Sequence, residues 1–434
     1  MHQVVVVGGG IGGIIAATHL ARRLRGTDRA GVILIDHNFA HAWKPMLHTF
    51  AAGTANYTVQ SISFAPHAKR NGFVYCPGEL AGLDRENKTV ELGPITLPDG
   101  HSILPGRSIP YETLLLAIGS RSNDFHTPGV DEHCYFMDDV GQALAFNGVL
   151  LSQIIQAMDK NTEARVVVVG GGATGVELAA ELTRSIEILA TYVPGNVSPR
   201  LKITLVETAP KLLGALPERI SQAVEYKLKQ LGVEVRTGTK VVGADERGLS
   251  LEGGQRIDAE LRVWAAGVKA PPVAAKLDGL EVNRIGQISV RPTLQTTQDD
   301  SIFALGDCAS CPGIDGKPLP TTAQVARQQA VFLARCLADQ LIQNKPLREF
   351  SFRDMGSLIA LGDYAAYGSL GQHGFLHGAL IKGRLAGLAH ASLYRMHQLD
   401  MNGILKGGVG WLADNLTRIA GPSLANVVLL SERN

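Results

Sequence analysis

The hydrophobic pattern opens with a run of four β-branched residues, VVVV at 4–7, and the same run returns at 166–169. An apolar run without alternation predicts a parallel strand buried on both faces. Glycines follow each run, and then a stretch with helically spaced apolar residues. That stretch is Ile14 to Leu24 after the first run and VELAAEL (176–182) after the second. Further strands are predicted at GVILIDHN (31–38), LKITLVE (201–207) and SIFALGDCA (301–309). Strands alternating with helices at this rhythm predict the α/β class with parallel sheets. The 434 residues exceed one ordinary core, so two or three domains are expected.

The glycines carry the first chemistry. Gly8, Gly10 and Gly13 have the G-x-G-x-x-G spacing, and so do Gly170, Gly172 and Gly175. Such glycines allow a tight turn, approach of a pyrophosphate to the backbone, and close packing of helix on strand. The helix N-terminus that follows attracts phosphate. After the first turn the next strand ends in Asp36, and after the second it ends in Glu207. An acid there accepts hydrogen bonds from ribose hydroxyls. Glu207 repels a 2′-phosphate, which favours NADH over NADPH. The stretch TYVPGNVSPR (191–200) reads as a loop that lengthens the path to Glu207.

Composition narrows the class. Hydrophobic residues make up 45% and charged residues 19%, as in a folded chain and not a disordered one. A net charge of +1 and the lack of a long basic tract argue against nucleic acid. The first strand follows Met1 so closely that no signal peptide is expected. No apolar run reaches the ~18–20 residues of a spanning helix. Five scattered cysteines do not form a disulfide framework. Cys308 and Cys311 form one C-x-x-C, compatible with a redox pair or half a metal site. No second C-x-x-C completes a zinc site, so no metal is expected, and a loop feature without electron transfer is the favoured reading.

Several segments together resemble the type II NADH:quinone oxidoreductases, single-subunit alternative NADH dehydrogenases, and the subset is the bacterial enzymes that also carry GDCASC. HAWKPMLH (41–48) is similar to their flavin-contacting loop, with Lys44 and Pro45 at the contacts. GGGATGVE ends in Glu177, which matches their acid near the nicotinamide. WAAGVKA (264–270) is a marker of the family. TAQVARQQA (322–330) carries the A-Q-x-x-x-Q quinone motif as Ala323, Gln324 and Gln328. MGSLIALGDYAAYG and LYRMHQLDMNG match the C-terminal part, so the resemblance spans essentially the whole chain. HAWKPMLHTFAAGT (41–54) lacks the cysteines that disulfide reductases and sulfide:quinone oxidoreductases place near the flavin.

The resemblance implies two Rossmann-like dinucleotide-binding domains, the two-dinucleotide flavoprotein fold, with a C-terminal membrane-associating extension. FAD would take residues 1–118 and the returning stretch 285–345, NADH residues 119–284, and residues 346–434 the C-terminal part. Asp307 would bond the flavin ribityl chain, and Gly12, Gly119, Ala323, Gln324, Glu177 and Gly267 would join the cofactor contacts. Hydride would pass from NADH to FAD, and two electrons to a membrane quinone, ubiquinone or menaquinone, without proton pumping. Glu177, Gln324 and Gln328 are the catalytic candidates. On a helix the two glutamines share one face. Glu177 is expected in the first turn of its helix, where the dipole alone favours an acid.

A quinone enzyme without a spanning helix would lie peripherally on the cytoplasmic face of the bacterial plasma membrane. Between Leu380 and Gly421, Lys382, Arg384, Arg395, Lys406 and Arg418 outnumber Asp400 and Asp414. Ile404, Leu405, Trp411, Leu412, Leu416 and Ile419 fall near one helical face, weakened by Gly403, Gly407, Gly408 and Gly410. The alternative is packing on the body of the protein or on a second copy in a homodimer. Two other functions share the motifs: a soluble NADH-dependent flavoreductase, and a non-catalytic NADH-sensing flavoprotein.

Overall fold

The structure, a computed structural model, describes residues 2–96, 101–192, 200–314, 316–362, 364–370, 380–382, 396–401, 403 and 408. It divides into two compact units. The first holds residues 1–44, 61–121 and 268–352, and the second 45–60, 122–267 and 353–434.

In the first unit, five parallel strands form one sheet. Their order is Ile302–Ala304, Thr113–Leu116, His2–Val7, Ala30–Asp36 and Val74–Pro77. Val4, Val5 and Val6 have no exposed surface, as an unbroken β-branched run in a central strand requires. Strand order reverses at His2–Val7, the switch point where ligands sit in sheets of this kind. Helix Ile11–Leu24 follows the strand and packs against helix Ala323–Gln343. A three-stranded antiparallel sheet (Leu80–Asp84, Thr89–Leu92, Arg107–Pro110) interrupts the winding.

The second unit repeats the plan. Its parallel sheet runs Tyr135–Phe136, Leu261–Trp264, Ala164–Val169, Leu201–Val206, Glu234–Arg236. Helix Ala173–Tyr192 follows its central strand. An antiparallel sheet (Val241–Asp245, Gly248–Leu251, Arg256–Asp258) again interrupts the winding. The two copies differ at one edge. The first unit recruits its outermost strand from far along the chain, and the second takes it from just before its own central strand.

Three expectations shift. Residues 45–60, which the resemblance assigned to the first domain, group with the second unit. Helix Leu47–Ala52 packs on helices Val140–Asp159 and Ala173–Tyr192, and Asn147 Nδ2 donates to Ala51 O at 3.0 Å. The boundaries of the middle segment fall at 122 and 267, not at 119 and 284. Helix Ala173–Tyr192 runs into the stretch read as a loop, and 193–199 lie outside the described residues.

Toward the C-terminus, Gly356–Leu361 and Ala365–Leu370 form an antiparallel hairpin that Leu380–Lys382 extends. Leu380–Lys382 is therefore a strand, outside the expected amphipathic helix. Residues 396–401 are helical. Arg384, Arg395, Trp411 and the apolar positions from Ile404 to Ile419 lie outside the described residues. Among the described residues no helix is long and apolar enough to cross a membrane.

Candidate functional site: two glycine cradles

In the first unit the chain leaves strand His2–Val7 through Gly8 at φ +100°, a conformation suited to glycine. A Cβ on Gly8 would lie 2.3 Å from Ala117 O, and one on Gly13 only 1.7 Å from Gly8 O. A Cβ on Gly10 would meet nothing within 4 Å. Two glycines are thus demanded by packing, and the middle one leaves open space where a phosphate can approach the backbone. The helix begins at Ile11, three residues earlier than the sequence suggested, so Gly12 and Gly13 lie in its first turn. Asp36 closes the cradle: one carboxylate oxygen accepts from Gly9 N at 2.6 Å, the other from Asn38 N at 2.7 Å.

The second cradle is built alike. Gly170 has φ +114°, its Cβ would lie 2.6 Å from Ala265 O, and a Cβ on Gly175 would sit 2.0 Å from Gly170 O. Gly172 faces open space. Glu207 accepts from Gly171 N at 2.5 Å and from Ala209 N at 2.7 Å. Beside the two turns, Gly119 and Gly267 hold matching left-handed conformations, φ +70° and +64°. Both cradles therefore fit a dinucleotide: open at the middle glycine, at a helix N-terminus, with an acid at the next strand end.

The returning segment joins the first cradle. A Cβ on Gly12 would be 3.0 Å from Leu305 Cδ1 and 3.8 Å from Ala326 Cβ. Strand Ile302–Ala304 thus brings the turn Gly306–Cys308, with Asp307, alongside the glycines. Ser120 Oγ donates to Asp307 Oδ2 at 2.7 Å, and Lys44 Nζ donates to Ser120 O at 2.8 Å. Pro45 follows in an exposed 3-10 turn, Lys44–Met46. Helix Ala323–Gln343 begins at Ala323 and is capped by Thr322. Gln324 and Gln328 share its first turns, half-buried, with amides 3.5 Å apart. Cys308 and Cys311 are free and buried, and burial pushes both thiols up to about 11, which suppresses the reactive thiolate.

Glu177 corrects its expectation. Helix Ala173–Tyr192 places it in the second turn, so the helix dipole does not explain an acid there. It is only 7% exposed. Burial lifts its pKa to about 8, the nearby Glu181 adds to the lift, and the Ala360 N–H, donating to Oε1 at 3.1 Å, opposes it. His48 Nδ1 lies 3.7 Å from the other oxygen. Glu181, also buried, accepts from Thr54 Oγ1 at 2.5 Å, and Arg184 lies 3.6 Å away. Helices Leu47–Ala52 and Ala173–Tyr192 and the hairpin thus build a buried acid cluster within the second unit.

Comparison with known proteins decides the family. The family model for pyridine nucleotide-disulphide oxidoreductases matches residues 2–330. A type II NADH:quinone oxidoreductase of Haemophilus influenzae is 42% identical, over 98% of this chain and 99% of that protein. The chain belongs to the type II NADH:quinone oxidoreductases. The Staphylococcus aureus protein of the same name is 30% identical over 84% of this chain and 89% of that protein. In fold, the chain matches NDH2 from Plasmodium falciparum, solved in complex with NADH, at TM-score 0.82 and 19% identity, covering 98% of this chain and 100% of that one. The sulfide:quinone oxidoreductase of Aquifex aeolicus matches at TM-score 0.73 and 18% identity, over 93% and 92% of the two chains.

Several residues that shape this type II chain escaped the sequence reading. Gln329 is buried and its Oε1 accepts from Gly306 N at 2.7 Å, which fixes the turn beside Asp307. Gln287 Nε2 donates to Asp307 O at 2.9 Å. Gln329 directly follows the A-Q-x-x-x-Q pair in the chain, outside the motif's spacing. His48 ends HAWKPMLH and Glu181 lies in VELAAEL, but only three-dimensional packing unites them with Glu177.

Proposed function

We propose that this chain oxidises NADH and reduces a quinone, with FAD in the first cradle and NADH in the second. The duplication of one dinucleotide cradle, down to Asp36 and Glu207 on the same turn N–H, carries the reading. Gly8, Gly10, Gly12 and Gly13 and the first turn of helix Ile11–Leu24 would take the FAD pyrophosphate, and Asp36 the ribose. Lys44, Pro45, Gly119 and Asp307 would hold the flavin half. Gly170, Gly172, Gly175, Gly267 and Glu207 would hold NADH, with Glu207 disfavouring a 2′-phosphate.

When bound, FAD supplies two-electron chemistry linking a hydride donor to a quinone. The amides of Gln324 and Gln328 would donate hydrogen bonds to a quinone carbonyl. Glu177 at about 8 holds its carboxyl proton at neutral pH, which suits a group that yields a proton during quinone reduction. The test is direct. The purified protein should be yellow, bleach with NADH under anaerobic conditions, and recolour on adding a short-chain quinone. Bleaching without recolouring would refute quinone reduction, and a protein with no bindable flavin would refute the whole reading.

A quinone dissolved in lipid requires a chain that reaches the membrane surface. The apolar residues from Ile404 to Ile419, with Lys406 and Arg418 among them and Lys382, Arg384 and Arg395 before them, support a peripheral attachment through the C-terminal region. Truncation after Leu399 should release the protein from membranes with flavin still bound, and continued membrane association would place the attachment elsewhere.

A further inference from the structure

The two cradles clamp the middle peptide of their glycine turns in the same manner with different chemistry. In each, the N–H of the second glycine goes to the acid: Gly9 to Asp36 and Gly171 to Glu207. In each, a bulky apolar side chain closes over the peptide: a Cβ on Gly9 would lie 2.3 Å from Phe64 Cζ, and one on Gly171 2.7 Å from Leu212 Cδ2. Phe64 in turn stacks on Tyr75, whose hydroxyl donates to Asn38 O at 2.6 Å. The carbonyls differ. Gly171 O accepts from the backbone N–H of Leu213 at 2.8 Å, whereas Gly9 O accepts from the Nδ1–H of His41 at 2.8 Å.

We infer that His41 is a positioning residue for FAD: it does with a side chain in the first cradle what a main-chain N–H does in the second, and so sets flavin retention. The inference rests on the first cradle being the FAD site. His41 is 3% exposed, and its partner is a carbonyl, which can only accept. Burial lowers its pKa to about 4, so at neutral pH the ring is neutral with its one proton on Nδ1. Loss of this donor would leave Gly9 O buried without it and free the peptide that Asp36 holds from the other side. The loop of the second cradle has no such side chain to lose, because the chain reaches Gly171 O with its own backbone.

The test compares His41→Asn with His41→Gln. An asparagine amide reaches the position of Nδ1, and a glutamine amide reaches that of Nε2. The readout is the rate of flavin release from the holoenzyme, followed by the rise of free-flavin fluorescence. His41→Gln should release flavin about tenfold faster than wild type, the effect of losing one buried hydrogen bond. His41→Asn should stay within about threefold, and the KM for NADH of the flavin-replete fraction should be unchanged in both. Equal release from the two variants, whether both slow or both fast, would overturn the inference. A wild-type protein without recoverable flavin would instead overturn the assignment of the cradle.

Discussion

Replacing Glu177 by Gln isolates the energetic consequence of burying that carboxyl. Its folded-state pKa of about 8 exceeds the ordinary 4.5, so folding favours the protonated form. Burial contributes no charge penalty below about pH 4.5, and the folded state loses stability as pH rises through about 8. With these two values, wild type should lose roughly 2–3 kcal/mol between pH 6 and pH 9 through this group alone. Glutamine matches the protonated acid in shape and can still accept from Ala360 N, so Glu177→Gln should escape that loss. In the second unit, 2–3 kcal/mol corresponds to roughly 5–10 °C in melting temperature. Thermal melts of both proteins from pH 6 to pH 9 should therefore diverge, with the variant increasingly the more stable. Parallel curves across that range would show that Glu177 is not held neutral by its surroundings, and its assignment as a proton-holding group would fail.

Three further outcomes follow from the cradles. Glu207→Gln should lower the NADH-to-NADPH ratio of kcat/KM by about tenfold, since the group that repels a 2′-phosphate is gone; an unchanged ratio would remove Glu207 from the nucleotide site. Gly13→Ala forces a Cβ to within 1.7 Å of Gly8 O and should give colourless protein, while Gly175→Ala, at 2.0 Å from Gly170 O, should keep flavin yet bleach at least about tenfold more slowly with NADH; bleaching at the wild-type rate in Gly175→Ala would contradict the second cradle. His41 and His67 are both buried with pKa lowered to about 4, so each should cost about 3 kcal/mol of stability as pH falls from about 6.5 through 4. His41→Asn should flatten that loss in denaturant midpoints, and an identical slope would show that His41 titrates normally.

The sequence by itself determined the paired cradles, because the glycine requirement is local. A positive φ at Gly8 and Gly170, and a contact one turn away at Gly13 and Gly175, follow from a few adjacent residues. The unbroken valine runs and the acids ending the next strands are also short-range signals, and with the motifs they carried the family and its reaction. Spacing misjudged where elements begin: helix Ile11–Leu24 starts inside the glycine turn, and Glu177 falls one turn later than expected. Tertiary structure alone decided which distant residues share an environment. It moved residues 45–60 into the second unit, set His48, Thr54 and Glu181 around Glu177, and placed His41 and Gln329 on the carbonyl and N–H of two turns. Those pairings depend on which buried polar atoms lack a main-chain partner. That depends on the packing of segments far apart in the chain, and no spacing between neighbouring residues encodes it.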